Sequence, residues 1–296
     1  MATARAYCAA VRLDARRVLV VGGSSIAQSE AAQAAGYLDT TEILDLGTML
    51  FSAGPRMLSK RCCCTAVALD AGRVLVAGGL GENHARHRTT EILDVATMTF
   101  APGPDMLSQR YGCSAVALLE GNPRRVLVVG GCGPDRVYLN TTEVLDLDTM
   151  EFSPGPTMRM GRYACAAVLL GDVDSRRRCL LVMGGIFPDD DGVKRNTTEV
   201  LDLETMEFTG YGPAMLAERR GFAAVADDAG GRVFVLGGGL ERGIEVLEAA
   251  VNSGQFFDID SKVFKVKRPP PPKKPERSSR RRRCEISRAL RRGWWW

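Results

Sequence analysis

The stretch from Arg110 to Met158 decides the fold: RYGCSAVALLEGNPRRVLVVGGCGPDRVYLNTTEVLDLDTMEFSPGPTM. It is the clearest copy of a unit that the chain repeats five times. The Gly-Gly pairs that mark the copies begin at residues 22, 78, 130, 184 and 237, with spacings of 56, 52, 54 and 53 residues. A period of about 50 residues is typical of a solenoid, a propeller or another repeat array.

Each copy predicts four short strands. In the central copy, a small-residue run ending at Ala115-Val116 is followed by the β-branched run Arg125–Gly131, which reads RVLVVGG. A third run, TEVLDL, alternates in polarity, and a fourth carries Phe152 and stops at Gly155-Pro156. Four or five apolar residues bounded by turn residues indicate buried strands. The first strand of the chain is predicted at Ala4–Asp14, and the last at Val263–Val266.

Two sets of residues form the structural motif of the repeat. Glycines at the end of the second strand permit a positive φ or a close approach of another backbone. A glutamate opens the third strand in four copies, and Gln255 replaces it in the fifth. The motif residues are Gly22, Gly23, Gly78, Gly79, Gly130, Gly131, Gly184, Gly185, Gly237, Gly238, Glu42, Glu91, Glu143 and Glu199.

The unit resembles the kelch repeat. Four antiparallel strands cannot bury both faces alone, whereas radially stacked sheets can, and this is the β-propeller solution. The resemblance covers residues 4–266 and includes an apolar pair seven residues apart, such as Leu145 and Phe152. The kelch family usually has Tyr and Trp there. The sequence therefore predicts an all-β fold, a kelch-type β-propeller with five four-stranded blades visible.

Closure of the propeller is left open by the sequence. Kelch propellers most often have six or seven blades, whereas five are visible here. The strands follow one uninterrupted order, with no spare terminal strand to join the first and last blades. Either five blades close directly, or they form part of a larger ring.

Charge divides the chain into two predicted domains. Residues 267–296 contain 12 Lys/Arg and 2 Asp/Glu, a net charge of +10. The whole chain carries +4, so subtracting the +10 of the tail leaves −6 for residues 1–266. We predict a propeller at 1–266 and a disordered, basic Pro/Arg-rich tail at 267–296. The acidic body gives no reason to expect nucleic-acid binding by the propeller.

The composition predicts a cytoplasmic protein. No apolar run approaches the roughly 20 residues that a membrane helix needs. The N-terminus lacks the apolar core of a signal peptide. Nine cysteines, three of them contiguous at Cys62, Cys63 and Cys64, are an odd number in a long chain. They favour reduced thiols packed as small apolar groups over a disulfide scaffold.

An arginine opens every copy, and two roles are open for it. Five guanidinium groups around one mouth of the propeller would bind carboxylates, because the arginine fork matches them. The kelch resemblance also implies contacts with acidic peptide motifs. Alternatively, each arginine pairs internally with the glutamate of its own copy. These arginines are Arg5, Arg61, Arg110, Arg162 and Arg219.

The loops that vary between copies are the other predicted binding surface, since loops on a rigid scaffold carry most binding functions. They contribute Arg86, Arg136 and Arg195 as candidate partner-binding residues. His84 and His87 are the only histidines, and we interpret them as part of a solvated loop. The same interpretation applies to the acidic run 189–191, so no metal site and no cofactor are predicted.

These observations predict a non-catalytic interaction scaffold or adaptor, with no catalytic residues, that binds a protein partner through the rim loops and the arginine-bearing face. The alternative is a carbohydrate-active or copper radical oxidase-like kelch propeller. The resemblance implies that such an oxidase needs two histidine ligands from separate parts of the chain. Here His84 and His87 share one loop, which disfavours that alternative.

Overall fold

A computed structural model describes residues 1–25, 36–120, 123–171, 178–186, 196–226, 232–239, 255–258 and 263–266. The chain divides into two units, Met1–Val266 and Lys267–Trp296. In its described residues, the first unit is all-β and consists of repeated four-stranded antiparallel sheets, as expected for a propeller-like fold. Two single 3₁₀ turns, Glu82–His84 and Pro134–Arg136, lie between strands.

Five sheets follow one another along the chain, and each has its four strands in sequence order. Sheet 1 contains β1 (Ala9–Arg12), β2 (Arg17–Val21), β3 (Thr41–Asp45) and β4 (Leu50–Ala53); sheet 2 contains β5 (Thr65–Ala68), β6 (Arg73–Ala77), β7 (Thr90–Asp94) and β8 (Thr99–Pro102); sheet 3 contains β9 (Ser114–Leu118), β10 (Arg125–Val129), β11 (Thr142–Asp146) and β12 (Glu151–Pro154); sheet 4 contains β13 (Ala166–Gly171), β14 (Arg178–Met183), β15 (Thr198–Asp202) and β16 (Glu207–Tyr211); sheet 5 contains β17 (Ala223–Ala226), β18 (Arg232–Leu236), β19 (Gln255–Asp258) and β20 (Val263–Val266).

The first strand is shorter than the sequence predicted. We expected it at Ala4–Asp14, and β1 spans only Ala9–Arg12. Tyr7, just before it, has a φ of 55°, and this left-handed conformation cannot continue a strand. A left-handed residue also precedes the first strand of each of the other four sheets.

Consecutive sheets are joined by four apolar clusters. Leu19 and Val21 of β2 pack with Val74 and Val76 of β6. The other clusters join sheets 2 and 3, sheets 3 and 4, and sheets 4 and 5 in the same way. Successive side chains of a strand point to opposite faces. In sheets 2, 3 and 4, one face of the second strand therefore contacts the preceding sheet and the other face contacts the following sheet. This explains why the second strands are apolar after the arginine with which each begins.

The apolar pair of the repeat lies across the third and fourth strands. Leu145 is directly opposite Phe152 in the β11–β12 register. The corresponding residues are opposite each other in all five sheets. Directly opposed side chains are the stabilising unit of an antiparallel sheet.

Sheet 5 has a different environment from the other four. Val225 and Leu236 are 57% and 53% exposed, whereas Val21 and Ala77, which occupy the position of Leu236 in sheets 1 and 2, are 0% exposed. These residues lie on the face that, in sheets 1–4, packs on the following sheet. Among the described residues, one apolar face of sheet 5 is therefore exposed.

Aspartates cap the turns between third and fourth strands. The Asp94 carboxylate accepts hydrogen bonds from the amides of Ala96 and Thr97, both at 2.9 Å. Asp45, Asp146 and Asp202 make the equivalent bonds. The methionine that follows in each turn has a φ between 55° and 57°, a left-handed conformation that reverses the chain.

These turns predict a stability that falls in acid. Hydrogen bonds from backbone amides hold the pKa of Asp45, Asp94 and Asp146 below their usual range. A carboxylate with a depressed folded-state pKa stabilises the protein above its unfolded pKa of about 3.9 and loses that contribution as the pH falls further. We expect the melting temperature to decrease as the pH is lowered below about 4. This decrease with pH should be less steep when all three residues are changed to asparagine.

The measurement is thermal unfolding at a series of pH values. Asp135→Asn is the matched control, because Asp135 is an exposed carboxylate outside these turns. An unchanged slope in the triple variant would contradict the prediction.

No helix within the described ranges is long and apolar enough to cross a membrane. Cytoplasmic location stays a prediction.

Candidate functional site

The arginine that opens each copy lies inside its sheet. Nε of Arg61 donates to Oε1 of Glu91 at 3.1 Å, and the side chains of this pair are 1% and 2% exposed. Nη1 donates to the carbonyl oxygens of Gly78 and Thr89, both at 2.9 Å. Nη2 donates to Oγ1 of Thr89 at 2.8 Å. The guanidinium group thus joins the end of the second strand to the start of the third.

The carboxylate partner is also fully engaged. Glu91 accepts hydrogen bonds from the amides of Leu58 at 2.7 Å and Ser59 at 3.0 Å, in the segment that leads to Arg61. A buried ion pair needs such additional hydrogen bonds to offset the loss of hydration. The same pairing occurs in three other copies: Arg5–Glu42 at 3.1 Å, Arg110–Glu143 at 2.7 Å and Arg162–Glu199 at 3.0 Å.

This is the internal pairing that the sequence offered as one of two roles. Arg61, Arg110, Arg162 and Arg219 are at most 2% exposed, and the Arg5 side chain is 1% exposed. Partner binding by these arginines stays a prediction, and their burial argues against it. In the fifth copy, Arg219 donates to the Gly237 carbonyl, and burial lowers its pKa. The Gln255 side chain lies outside the described residues.

The backbone of the same arginines joins neighbouring sheets. The Gly23 amide of sheet 1 donates to the Arg61 carbonyl at 2.8 Å. Equivalent bonds link Gly79 to Arg110, Gly131 to Arg162 and Gly185 to Arg219. A Cβ added to the preceding glycine of each pair would lie 2.3–2.6 Å from that arginine carbonyl. The close approach of the next sheet therefore accounts for the glycine pairs.

A chain of left-handed residues lies two positions after the arginines. Its members have φ values between 50° and 61°: Tyr7, Cys63, Gly112, Ala164 and Gly221. From Cys63 onward, the amide of each member donates to the carbonyl of the member before it, at 2.7–2.9 Å, so that Cys63 donates to Tyr7. The corresponding bond from Tyr7 to Gly221 is absent, although both residues are described. Sequence reasoning missed this chain because only two of the five residues are glycine.

A cavity of about 940 Å³ opens beside this chain, and all five copies contribute to its wall. The lining is aromatic, thiol-bearing or small, and Arg220 is its one charged residue within the described part of the chain. The wall is formed by Tyr7, Cys8, Ser24, Tyr37, Cys62, Cys63, Cys64, Leu80, Gly112, Cys113, Tyr163, Ala164, Cys165, Arg220, Gly221, Phe222, Gly238 and Gly239. The recurring arginines are not among them.

Tyrosines form a cluster at one side of the cavity. The rings of Tyr111 and Tyr163 meet edge to face, with centroids 5.1 Å apart, and Tyr138 stacks on Tyr163 at 6.0 Å. The Arg86 guanidinium lies 5.8 Å from the centre of the Tyr111 ring, close enough for a cation–π contact. These contacts hold the ring of Tyr163, the member of the cluster that lines the cavity, in place.

The loop residues predicted to bind a partner are dispersed. Arg86 lies on the tyrosine cluster, Arg136 is exposed in its 3₁₀ turn, and Arg195 lies outside the described residues, as does the acidic run 189–191. Nδ1 of His84 is 2.9 Å from the Tyr37 hydroxyl. Burial lowers the pKa of His87.

The described residues contain no metal-binding cluster. In the described ranges, no three His, Cys, Asp or Glu side chains come together in a way that could hold a metal ion.

Comparison with known proteins gives no family: no protein-family model matches the chain, and no curated protein is significantly similar to it.

Proposed function

We propose that the chain is a kelch-type β-propeller and that it serves as a non-catalytic module that binds a protein partner over its central cavity. The observation that carries the proposal is that five separate copies of the repeat supply the wall of one cavity. A concave site with a mostly apolar lining and a few polar groups is the usual form of a binding site.

The lining indicates what a partner would insert. Tyr7, Tyr37 and Tyr163 offer aromatic faces with one polar tip each, and tyrosine is enriched at binding surfaces for this reason. Arg220 is the charged group on the described wall, while residues 1–266 carry a net charge of −6. We therefore expect an aromatic or aliphatic side chain of a peptide segment to enter the cavity. The acidic motif considered from the sequence has less support, because the recurring arginines are buried.

The chemistry of the wall supports binding rather than catalysis. Most of its polar groups are tyrosine hydroxyls, thiols and backbone amides. The buried pairs Arg61–Glu91 and Arg110–Glu143 are not on the wall, and their side chains bond to each other. Eight cysteines are described and none forms a disulfide. Reduced thiols suit a reducing compartment and support the cytoplasmic location.

Filling the cavity tests the proposal. Gly221 has a φ of 58°, and a Cβ added to it meets no atom within 4 Å. The equivalent position of the first copy holds Tyr7 with a φ of 55°. Gly221→Tyr therefore adds a side chain that this backbone accepts elsewhere in the same protein. The full chain is used to select binders from a random peptide display library, and affinities of the selected peptides are measured by calorimetry.

We expect the selected peptides to share an aromatic or aliphatic residue and to bind Gly221→Tyr at least about tenfold more weakly, a difference of about 1.4 kcal/mol. Tyr211→Ala is the matched control, because Tyr211 is 51% exposed on β16 and is not part of the wall. Peptides that bind the two variants equally well would place the site elsewhere. Failure to select any peptide would contradict the binding function itself.

A further inference from the structure

Two adjacent thiols lie together on the cavity wall. Sγ of Cys62 is 3.9 Å from Sγ of Cys63, and both residues line the cavity. Successive side chains of an extended strand would point to opposite sides. Cys63 instead has a φ of 50°, and this left-handed turn brings the two sulfurs to one wall.

The two sulfurs have different surroundings. The Cys62 residue is 4% exposed, and its thiol donates toward Cys63, which is only partly buried. This hydrogen bond lowers the pKa of Cys63, and the Tyr163 hydroxyl acts in the same direction. The same hydrogen bond, together with burial, raises the pKa of Cys62. Cys63 is thus the more exposed cysteine of the pair, and the Cys62 thiol holds a proton beside it.

Three of the other thiols of the wall differ from this pair. Cys64, Cys113 and Cys165 are buried, and burial raises their pKa to about 12, about 12 and about 11. Buried thiols in apolar surroundings are unreactive. They match the packing role predicted for the cysteines, whereas the pair at 62 and 63 does not.

We propose that Cys62 and Cys63 form a peroxide-sensitive dithiol that closes to a disulfide on the cavity wall. The Cys63 thiolate attacks one oxygen of hydrogen peroxide, the O–O bond breaks, and hydroxide leaves. Cys63 becomes a sulfenic acid, and the hydroxide takes the Cys62 proton to form water. The Cys62 sulfur then attacks the Cys63 sulfur and displaces its hydroxyl group, which leaves as a second water after protonation. Two thiols are oxidised, and one peroxide is reduced to two waters.

Closure would act on the backbone that joins three sheets. The Cys63 amide donates to the Tyr7 carbonyl of sheet 1, and its carbonyl accepts from the Gly112 amide of sheet 3, at 2.8 and 2.7 Å. The Cα atoms of adjacent residues are about 3.8 Å apart, closer than the roughly 4.4–6.8 Å usual for a disulfide. The bond therefore strains this backbone and is readily reduced again. We expect oxidation to lower the melting temperature and dithiothreitol to restore it.

The test is peroxide titration of the full chain, followed by intact mass and peptide mapping. Mapping uses a Cys64→Ser background, in which the tryptic fragment of residues 62–73 contains only the two cysteines of interest. We expect this fragment to lose two hydrogens, the loss to disappear in Cys63→Ser and in Cys62→Ser, and Cys113→Ser to behave like the parent. With unmodified protein, prior treatment with phenylarsine oxide, which bridges paired thiols, should block the oxidation.

Three results would overturn the proposal. One is a fragment that gains oxygen atoms at Cys63 without losing two hydrogens. Another is a two-hydrogen loss that persists in Cys63→Ser. The third is an oxidised chain that melts at the same temperature as the reduced chain. That result would show that the disulfide does not strain the backbone that joins the sheets. The readouts do not depend on peptide binding, so the proposal stands or falls separately from the proposed function.

Discussion

Gly130→Ala is expected to destabilise the protein by about 3 kcal/mol or more, because two costs combine at this residue. Its φ of 62° lies in the left-handed region, where a Cβ is unfavourable by about 1–2 kcal/mol. The added Cβ would also lie 2.5 Å from the Arg162 carbonyl. That contact is with backbone of the next sheet, so relief requires the sheets to separate. Denaturant unfolding monitored by fluorescence or circular dichroism measures the loss.

Gly237→Ala is the matched control within the same chain. Gly237 occupies the same repeat position and has a φ of 71°, but a Cβ built there meets nothing within 4 Å. We expect only the conformational cost, about 1–2 kcal/mol. The difference between the two variants isolates the contact between sheets. Equal losses would show that conformation alone, and not the close approach of the next sheet, explains the glycine pairs.

Arg110→Met is expected to cost about 3–5 kcal/mol, the usual range when one partner of a buried ion pair is removed. Arg110 is fully buried, and its side chain donates to Glu143 as well as to the carbonyls of Gly130 and Thr141. The substitution leaves a buried carboxylate at Glu143 without its counter-charge. Unfolding free energies of the variant and the parent, measured at neutral pH, test this expectation.

The double variant Arg110→Met with Glu143→Gln separates charge from hydrogen bonding. The Leu107 and Ser108 amides donate to different oxygens of Glu143. Glutamine keeps one acceptor oxygen for these amides and removes the charge, so we expect it to recover part of the lost stability. Arg136→Met, at an exposed arginine, should change stability by no more than about 0.5 kcal/mol. If Arg110→Met unfolds like the parent but weakens peptide binding, the guanidinium group belongs to recognition and not to the internal network.

The exposed face of sheet 5 bears on the closure that the sequence left open. Four junctions between consecutive sheets share three features: an apolar cluster, a backbone hydrogen bond from a glycine amide to an arginine carbonyl, and a backbone hydrogen bond between two left-handed residues. Within the described residues, the link between sheets 5 and 1 lacks the backbone bond that the others have. Gly237 also lacks the neighbour that crowds its counterparts. The four junctions between consecutive sheets are therefore alike, whereas sheets 5 and 1 do not share these features within the described residues.

Much of the fold could be predicted from the sequence because it is local and repeated. Turn residues, strand runs and the opposition of Leu145 and Phe152 depend on spacings of a few residues, and five copies of each spacing make the pattern clear. The candidate arginine–glutamate pairs could be predicted because they are repeated, although the two partners lie 30–37 residues apart. Each arginine and its glutamate recur at fixed positions within one copy, so the internal role was one of only two to consider.

Only the tertiary structure decided where those groups lie. Whether Arg61 faces the cavity or its own sheet depends on contacts with Gly78 and Thr89, which are distant in sequence. The cavity wall combines residues from all five copies, and no spacing within one copy predicts it. The pairing of the Cys62 and Cys63 sulfurs depends on a left-handed residue that is not glycine. The physical reason is that strand and turn propensities act over a few residues, whereas burial, close backbone approach and cavity lining are set by neighbours about 50 residues away.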